Sequence, residues 1–363
     1  PGALARLEVT LSTATAAAGT RLSATVSAFD QYDNAKTNYT GIPMFSSSDT
    51  NAQLPGPYAL YETDEGVHTY RNTLLFKTLG PQTVVVKDGA ITSPAASLTV
   101  TNTAPQPPKL ISPENGGFAG LTPTLQIGAF TDVDNAGHAG TQFQLALTET
   151  FADADLVWDS DALSAVLTVT PPAGILSEYT QYFWRVRVKD GSGDADTEWS
   201  AWSPPASFRT SYAFPFFDNF SVDRGWQGLS EDGWAIAAAQ SGGGEYGSPD
   251  PGDDVTPNNE DRGILGYVIG GDYLPGQAAC VVSPPVDCSQ AQIVELSFWR
   301  WLGIEGNDWA DASLLVSSDG KDWHTVWANS ATDIADEQWH LMVFDLTSWA
   351  AGKATVFVAF DIS

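Results

Sequence analysis

The chain has 363 residues, 43% of them hydrophobic, with 33 Gly, 22 Pro and only two Met and two Cys. That length implies two or three domains, and no apolar run approaches the ~18 residues of a membrane span. Sixteen basic against 44 acidic residues give a formal charge of −28, which disfavours nucleic acid and anionic membranes as partners, because both are bound by Lys and Arg displacing counterions.

Residues 1–104 read as a first module. Leu7, Val9 and Leu11 alternate with polar positions, and RLSATVSAF, a turn at DQYDN, PMFSSSD, GVHTYRNTLLF, PQTVVVKDG and SLTVT follow. Short alternating runs at regular spacing predict an immunoglobulin-like sandwich. The series from AFDQYDNAKTNYTGIPMFSSSD through GVHTY to TLGPQTVVV resembles the filamin/invasin-type bacterial Ig-like repeats. Asp33-Asn34 stands where those repeats usually carry Gly-Asn, and either pair tolerates the turn.

The prolines of NTAPQPPK, residues 102–109, predict an extended, semi-rigid spacer. A second module, residues 105–211, continues with TPTLQIGAF, TQFQLALTE, LVWDSDAL, LTVTPP, QYFWRVRVKD and WSAWSPPASFRT. It resembles a fibronectin type III domain. Leu176 and Tyr182 match the spacing of that family's corner, which implies a Tyr hydroxyl tying a strand to its preceding turn. WSAWS resembles the signature of cytokine-receptor domains. That resemblance implies a structural ladder of Arg185 and Arg187 with Trp199 and Trp202, since alternate residues of a strand share a face. Two oxygen-rich stretches, Asp190-Gly-Ser192-Gly-Asp194-Ala-Asp196 and Asp132-Val-Asp134-Asn135, lack any strict calcium spacing and read as turns.

Residues 212–363 form a third module of different character. They hold nine of the 13 Trp and, with five basic against 23 acidic residues, −18 of the charge. SYAFPFF at its start predicts a packed joint. The order FFDNFSVDRGW, SGGGEYGSPDPGDD, GILGYVIGGDYLPGQAACVVSPPVDCS, LSFWRWLGIEG, ASLLVSSDGKDWHTVW resembles the MAM-like jelly-roll domains of secreted bacterial proteins. The C-terminal region of the immune-inhibitor-A metalloprotease family is one such case. The resemblance implies a jelly-roll β-sandwich, a non-catalytic companion role and a structural calcium ion. Carboxylates in a Gly-rich stretch can converge on one hard cation, which nominates Glu245, Asp250, Asp253, Asp254, Glu260 and Asp261. Asp218 and Asp223 join them, because the ion of related jelly rolls often ties the first strand to the loops. The alternative is a solvated acidic loop. Such domains usually finish with a Gly-Trp-x-Ile-Asp-Asp-type strand. This chain ends at VFVAFDIS, so the last strand is expected to be missing and an edge left unpaired; its start at PGALARLEV reads as processed or trimmed.

No Gly-x-Ser-x-Gly or His-Glu-x-x-His motif is present, and His68, His138, His324 and His340 are scattered over the three modules. In an exported chain otherwise free of Cys, Cys280 and Cys288 are expected to form a short disulfide. In SFWRWLG, Phe298, Arg300 and Leu302 take one face and Trp299, Trp301 and Gly303 the other. These indoles are expected in the core, and Trp309, Trp323 and Trp349, near polar turns, are the candidates for ligand binding.

The reading is thus an all-β chain with an Ig-like sandwich, a fibronectin III-like sandwich and a jelly-roll β-sandwich in series. It is expected to be a monomeric, non-catalytic accessory region of a secreted or surface-attached bacterial protein. It would act as a spacer and a calcium-stabilised binding module for polysaccharide or a surface protein. The rival is a polysaccharide-acting enzyme with an acidic cleft in the third module.

Overall fold

The computed structural model describes residues 2–230, 233–245, 247–256, 262–273 and 276–363. Among them the regular structure is β-strand, apart from a 3₁₀ turn at Glu62–Asp64 and one helical turn, α1 (Thr347–Ala350).

The first region contains β1 (Leu4–Leu11), β2 (Thr15–Ala17), β3 (Arg21–Asp30), β4 (Met44–Ser47), β5 (Val67–Leu75), β6 (Gly80–Asp88), β7 (Ile91–Thr92) and β8 (Ala96–Thr101). One sheet has the order β1-β3-β5; the other has β2-β8-β6-β4, with β7 beside β6. The chain changes layer between β1, antiparallel to β3, and β2, parallel to β8, so one segment edges both sheets. Pleating sends alternate residues to one face. Leu22, Ala24, Val26 and Ala28 of β3 therefore meet Val84, Val86, Leu98 and Val100 of the opposing layer in one core.

The second region contains β9 (Leu110–Ser112), β10 (Gly117–Ala119), β11 (Leu125–Ile127), β12 (His138–Ala146), β13 (Leu156–Asp159), β14 (Thr168–Val169), β15 (Gln181–Asp190) and β16 (Ala206–Thr210). Its layers are β14-β11-β9 and β10-β16-β15-β12-β13. In β15, Tyr182, Trp184, Val186 and Val188 point into the core, against Phe143, Leu145, Leu125 and Phe208. The Tyr182 hydroxyl accepts the Ser177 N–H at 2.8 Å. On the outer face, the Arg185 guanidinium lies 4.4 Å from the Trp202 ring centre and 4.2 Å from that of Phe151. Arg187 lies 4.6 Å from Trp199 and 4.8 Å from Trp202.

The linker is tied to both sandwiches. Asn102 is buried and donates to Asp190 Oδ2 at 2.9 Å, and the Thr103 hydroxyl donates to the Ala18 carbonyl at 2.8 Å. Val133 packs on the first core. Polar side chains flanking the prolines find partners on both sandwiches, and that holds the segment down.

The third region contains β17 (Tyr212–Ala213), β18 (Trp234–Ala238), β19 (Gly263–Tyr267), β20 (Ala279–Val282), β21 (Val286–Asp287), β22 (Glu295–Arg300), β23 (Gly303–Ile304), β24 (Ala312–Ser317), β25 (His324–Ala328), β26 (Ile334–Ala335), β27 (His340–Asp345) and β28 (Phe357–Ile362). One sheet runs β20-β28-β24-β25; β22–β27, β18–β19, β23–β26 and β17–β21 are two-stranded. The chain's last strand, β28, is paired on both sides, by β20 and β24. Among the described residues the edges of that sheet are β20 and β25.

The second and third regions share a packed joint. Phe118 and Phe357 meet edge-on at 5.6 Å, Tyr179 and Tyr212 stack at 4.9 Å, and the Leu121 N–H donates to Asp287 Oδ2 at 2.8 Å. Gly120 makes that approach possible: a Cβ there would lie 2.5 Å from Asp287 Oδ2 and 2.9 Å from the Ala354 methyl.

Candidate functional site

The third region holds a cleft of about 230 Å³ between β22–β27 and the β28 sheet, walled by the β18–β19 hairpin. It arises from the alternation of β22. Leu296, Phe298 and Arg300 turn inward while Glu295, Ser297 and Trp299 turn out. Phe298 meets Phe360 of β28 edge-on at 5.1 Å and Phe344 of β27 at 6.0 Å. These rings floor the cleft; Trp234, Tyr267, Trp299, Trp301, Trp327 and Trp339 also line it.

Asp336 sets the geometry at one end. Its carboxylate accepts Arg300 Nε at 3.0 Å, an Arg300 terminal nitrogen at 3.2 Å and the Leu302 N–H at 2.9 Å. One buried acid thus holds the residues on both sides of Trp301. A forked Arg–carboxylate pair adds orientation as well as energy. The Arg300 guanidinium also lies 5.6 Å from the Trp327 ring centre. Trp301 and Trp339 meet edge-on at 5.8 Å. Their indole N–H groups donate to the carbonyls of Pro249 and Asp253, at 3.2 and 3.3 Å. With the N–H edges engaged by the acidic loop, these rings offer a ligand their carbon surface.

Asp250 and Asp272 stand at the polar side of the cleft. Asp250 Oδ2 accepts the Gly270 N–H at 2.8 Å, and Asp272 Oδ1 accepts those of Gly244 and Glu245 at 2.8 and 2.9 Å. The pair therefore braces two loops against each other. Burial, with the nearby Asp272 charge, holds the Asp250 carboxyl above the ordinary carboxylate range. Arg300 is the sole cation lining the cleft among the described residues, and Asp336 pairs with it.

The three nominated indoles do not line this cleft. Trp309 is 82% exposed on the loop after β23, Trp323 is half-buried, and Trp349 packs on the core around Cys288 and Val316 with its ring 6.1 Å from that of His324. Trp299, expected in the core, is 48% exposed on the outer face of β22, at the rim of the cleft, whereas Trp301 faces the cleft. Strict alternation misplaces Trp301 because β22 ends at Arg300, and beyond a strand end the period of two no longer applies. Asp336 and Trp339 carried no signal in the sequence, since nothing there shows that they fold back onto residues 300–302.

The nominated calcium ligands do not converge. Asp218 accepts the Phe220 N–H and the Trp226 indole N–H, at 2.8 and 2.9 Å, and Asp223 accepts the N–H groups of Gly225 and Trp226. Asp253 pairs with Arg262 at 3.0 Å, Asp254 accepts from Thr256, and Glu245 is exposed. Glu260 and Asp261 lie outside the described residues. Among the described residues no three His, Cys, Asp or Glu side chains form a metal cage.

Cys280 and Cys288 are free thiols, not a disulfide. Cys280 is exposed on β20 and Cys288 is enclosed in the third region's core. Cys288 lies just past β21, and burial pushes its thiol up to about 11.

Residues 129–213 match the family described as Rha78A-like, N-terminal immunoglobulin domain. The match covers most of the second region, whose layers are those of an Ig/fibronectin III-type sandwich, and ends at β17. Among curated proteins no match is found. An α-L-rhamnosidase structure from Dictyoglumus thermophilum is 14% identical over 71% of this chain and 25% of its own, with a TM-score of 0.28. Chicken CNTN1 FN1-FN3 domains are 8% identical over 99% of this chain and 93% of theirs (TM-score 0.31). The Yersinia pseudotuberculosis adhesin InvE is 13% identical over 58% and 60% (TM-score 0.27). The chain thus spans about a quarter of the rhamnosidase's length. No helix among the described residues is long and apolar enough to cross a membrane.

Proposed function

We propose that this chain is the non-catalytic accessory region of a secreted or surface-attached bacterial protein that works on polysaccharide. The first two sandwiches are its spacers, and the MAM-like third region is its binding module. The observation that carries this reading is the aromatic cleft. Its indoles present ring carbon, its acids sit at one side, and its single arginine is already neutralised. Sugar rings stack on such surfaces while a few polar groups orient their hydroxyls. With Asp250, Asp272 and Asp361 against a paired Arg300, the ligand is a neutral glycan; a uronate or sulfate would meet repulsion. The match of residues 129–213 to a rhamnosidase-type immunoglobulin family supports the same setting.

A screen of neutral and acidic polysaccharides, read by intrinsic tryptophan fluorescence and by product formation, tests the proposal. A neutral glycan is expected to change the emission with no depolymerisation. One observation favours the enzymatic alternative: Asp250 is raised and has a second carboxylate, Asp272, close by, as in acid/base pairs. Reproducible product formation, abolished by Asp250→Asn, would replace the binding module with a hydrolase or lyase.

A further inference from the structure

Two oxygens at the joint between the first and second regions are buried without a hydrogen-bond partner, Asn102 Oδ1 and Asp132 Oδ2. Asn102 is only 8% exposed. Its neighbours orient its amide. Nδ2 lies 2.9 Å from Asp190 Oδ2 and 3.1 Å from both the carbonyl and the hydroxyl oxygen of Thr197. A carboxylate and a carbonyl can only accept, so the nitrogen faces them and Oδ1 is turned away. The chain after Asn102 runs beside the Asp132 turn. Thr103 N–H donates to Asp134 Oδ2 at 3.2 Å, and Gln106 N–H to the Thr131 carbonyl at 2.9 Å. Asp132 uses its other oxygen on the Val133 and Asp134 N–H groups.

Charge adds an independent constraint. Asp132, Asp134 and Asp190 gather here, and Asp190 is fully buried. Among the described residues no Lys, Arg or His forms an ion pair with any of the three. A buried water could donate to both orphan oxygens, but it would leave the charge uncompensated.

We infer that this joint binds a divalent cation, with Asn102 Oδ1 and Asp132 Oδ2 as side-chain ligands and Asp134 and Asp190 as flanking charge. All-oxygen donors suit calcium, which takes six to eight of them. With no carboxylate cage present, backbone carbonyls and waters complete the shell. The ion would clamp the linker between the two sandwiches, since Asn102 follows β8 and Asp132 precedes β12. This site is separate from the cleft and from the acidic loop of the third region.

Calcium titrated into the whole chain by calorimetry, over ~0.01–10 mM, tests the inference. One equivalent should bind the parent chain, and Asp132→Asn and Asn102→Leu should each weaken it at least ~10-fold, because the site's affinity follows its ligand set. Asp253→Asn, in the third region, should leave binding unchanged. No heat and no shift in melting temperature would overturn the site, as would binding lost in Asp253→Asn but kept in Asp132→Asn. Crystals of the unaltered chain grown with calcium give a readout that needs no variant. Anomalous density ~2.3–2.6 Å from both oxygens supports the ion; an ordered water or nothing there refutes it.

Discussion

The second and third regions both carry tryptophan on strands, and they use it in opposite ways. In the second, Trp199 and Trp202 lie against Arg187 and Arg185, while Trp184 is sealed in the core. In the third, Arg300 lies over the Trp327 ring and is itself held by Asp336, so Trp301 and Trp339 keep surface for a cleft. Tryptophan count alone does not mark a binding site. What marks it is whether cations and core already cover the rings.

The strongest way to break this comparison is to remove the buried indole. Trp184→Ala should destabilise the second region by about 4 kcal/mol, the cost of a large core cavity, as read by chemical denaturation. Glycan binding in the third region should persist if the regions act separately. Next is Asp336→Ala, which leaves Arg300 and the Leu302 N–H unpaired. A loss of about 3 kcal/mol is expected, together with loss of fluorescence-detected binding, because Trp301 is no longer held from both sides. Trp339→Ala should weaken binding about 10-fold, or about 1.4 kcal/mol, with the melting temperature nearly unchanged; an unaltered affinity would remove the cleft from consideration. A double-mutant cycle of Arg187→Ala with Trp199→Ala should give a coupling of about 0.5–1 kcal/mol and no effect on any ligand. The smallest effect concerns the thiols. A disulfide reagent near pH 8 should label Cys280 in the folded chain and spare Cys288, whose thiol is buried and pushed up to about 11. In denaturant without reductant both should react; silence from both would restore the disulfide.

Much of the fold was legible because strands declare themselves by local pattern. The alternation in RLSATVSAF places Leu22, Ala24, Val26 and Ala28 inward, and QYFWRVRVKD does the same for Tyr182, Trp184, Val186 and Val188. The Arg–Trp ladder was legible for the same reason, since its arginines are two apart on one strand and its indoles three apart in one segment. The cleft was not. Trp301 lies one residue past the end of β22, and its partners Asp336, Trp339, Pro249 and Asp253 come from distant segments.

The sequence by itself determined the all-β character, the Ig- and fibronectin III-type layers, and the strong acidity. These depend on composition and on a period of two, both of which are local. Only the tertiary structure decided which indoles are free, which carboxylates are already occupied by backbone amides, and that the linker is pinned through Asn102. Each of these depends on which groups meet across long stretches of chain. Asp223 and Asp132 each give one oxygen to two turn N–H groups and look alike in sequence; they differ in that Asp223 is exposed while the other oxygen of Asp132 is buried without a partner.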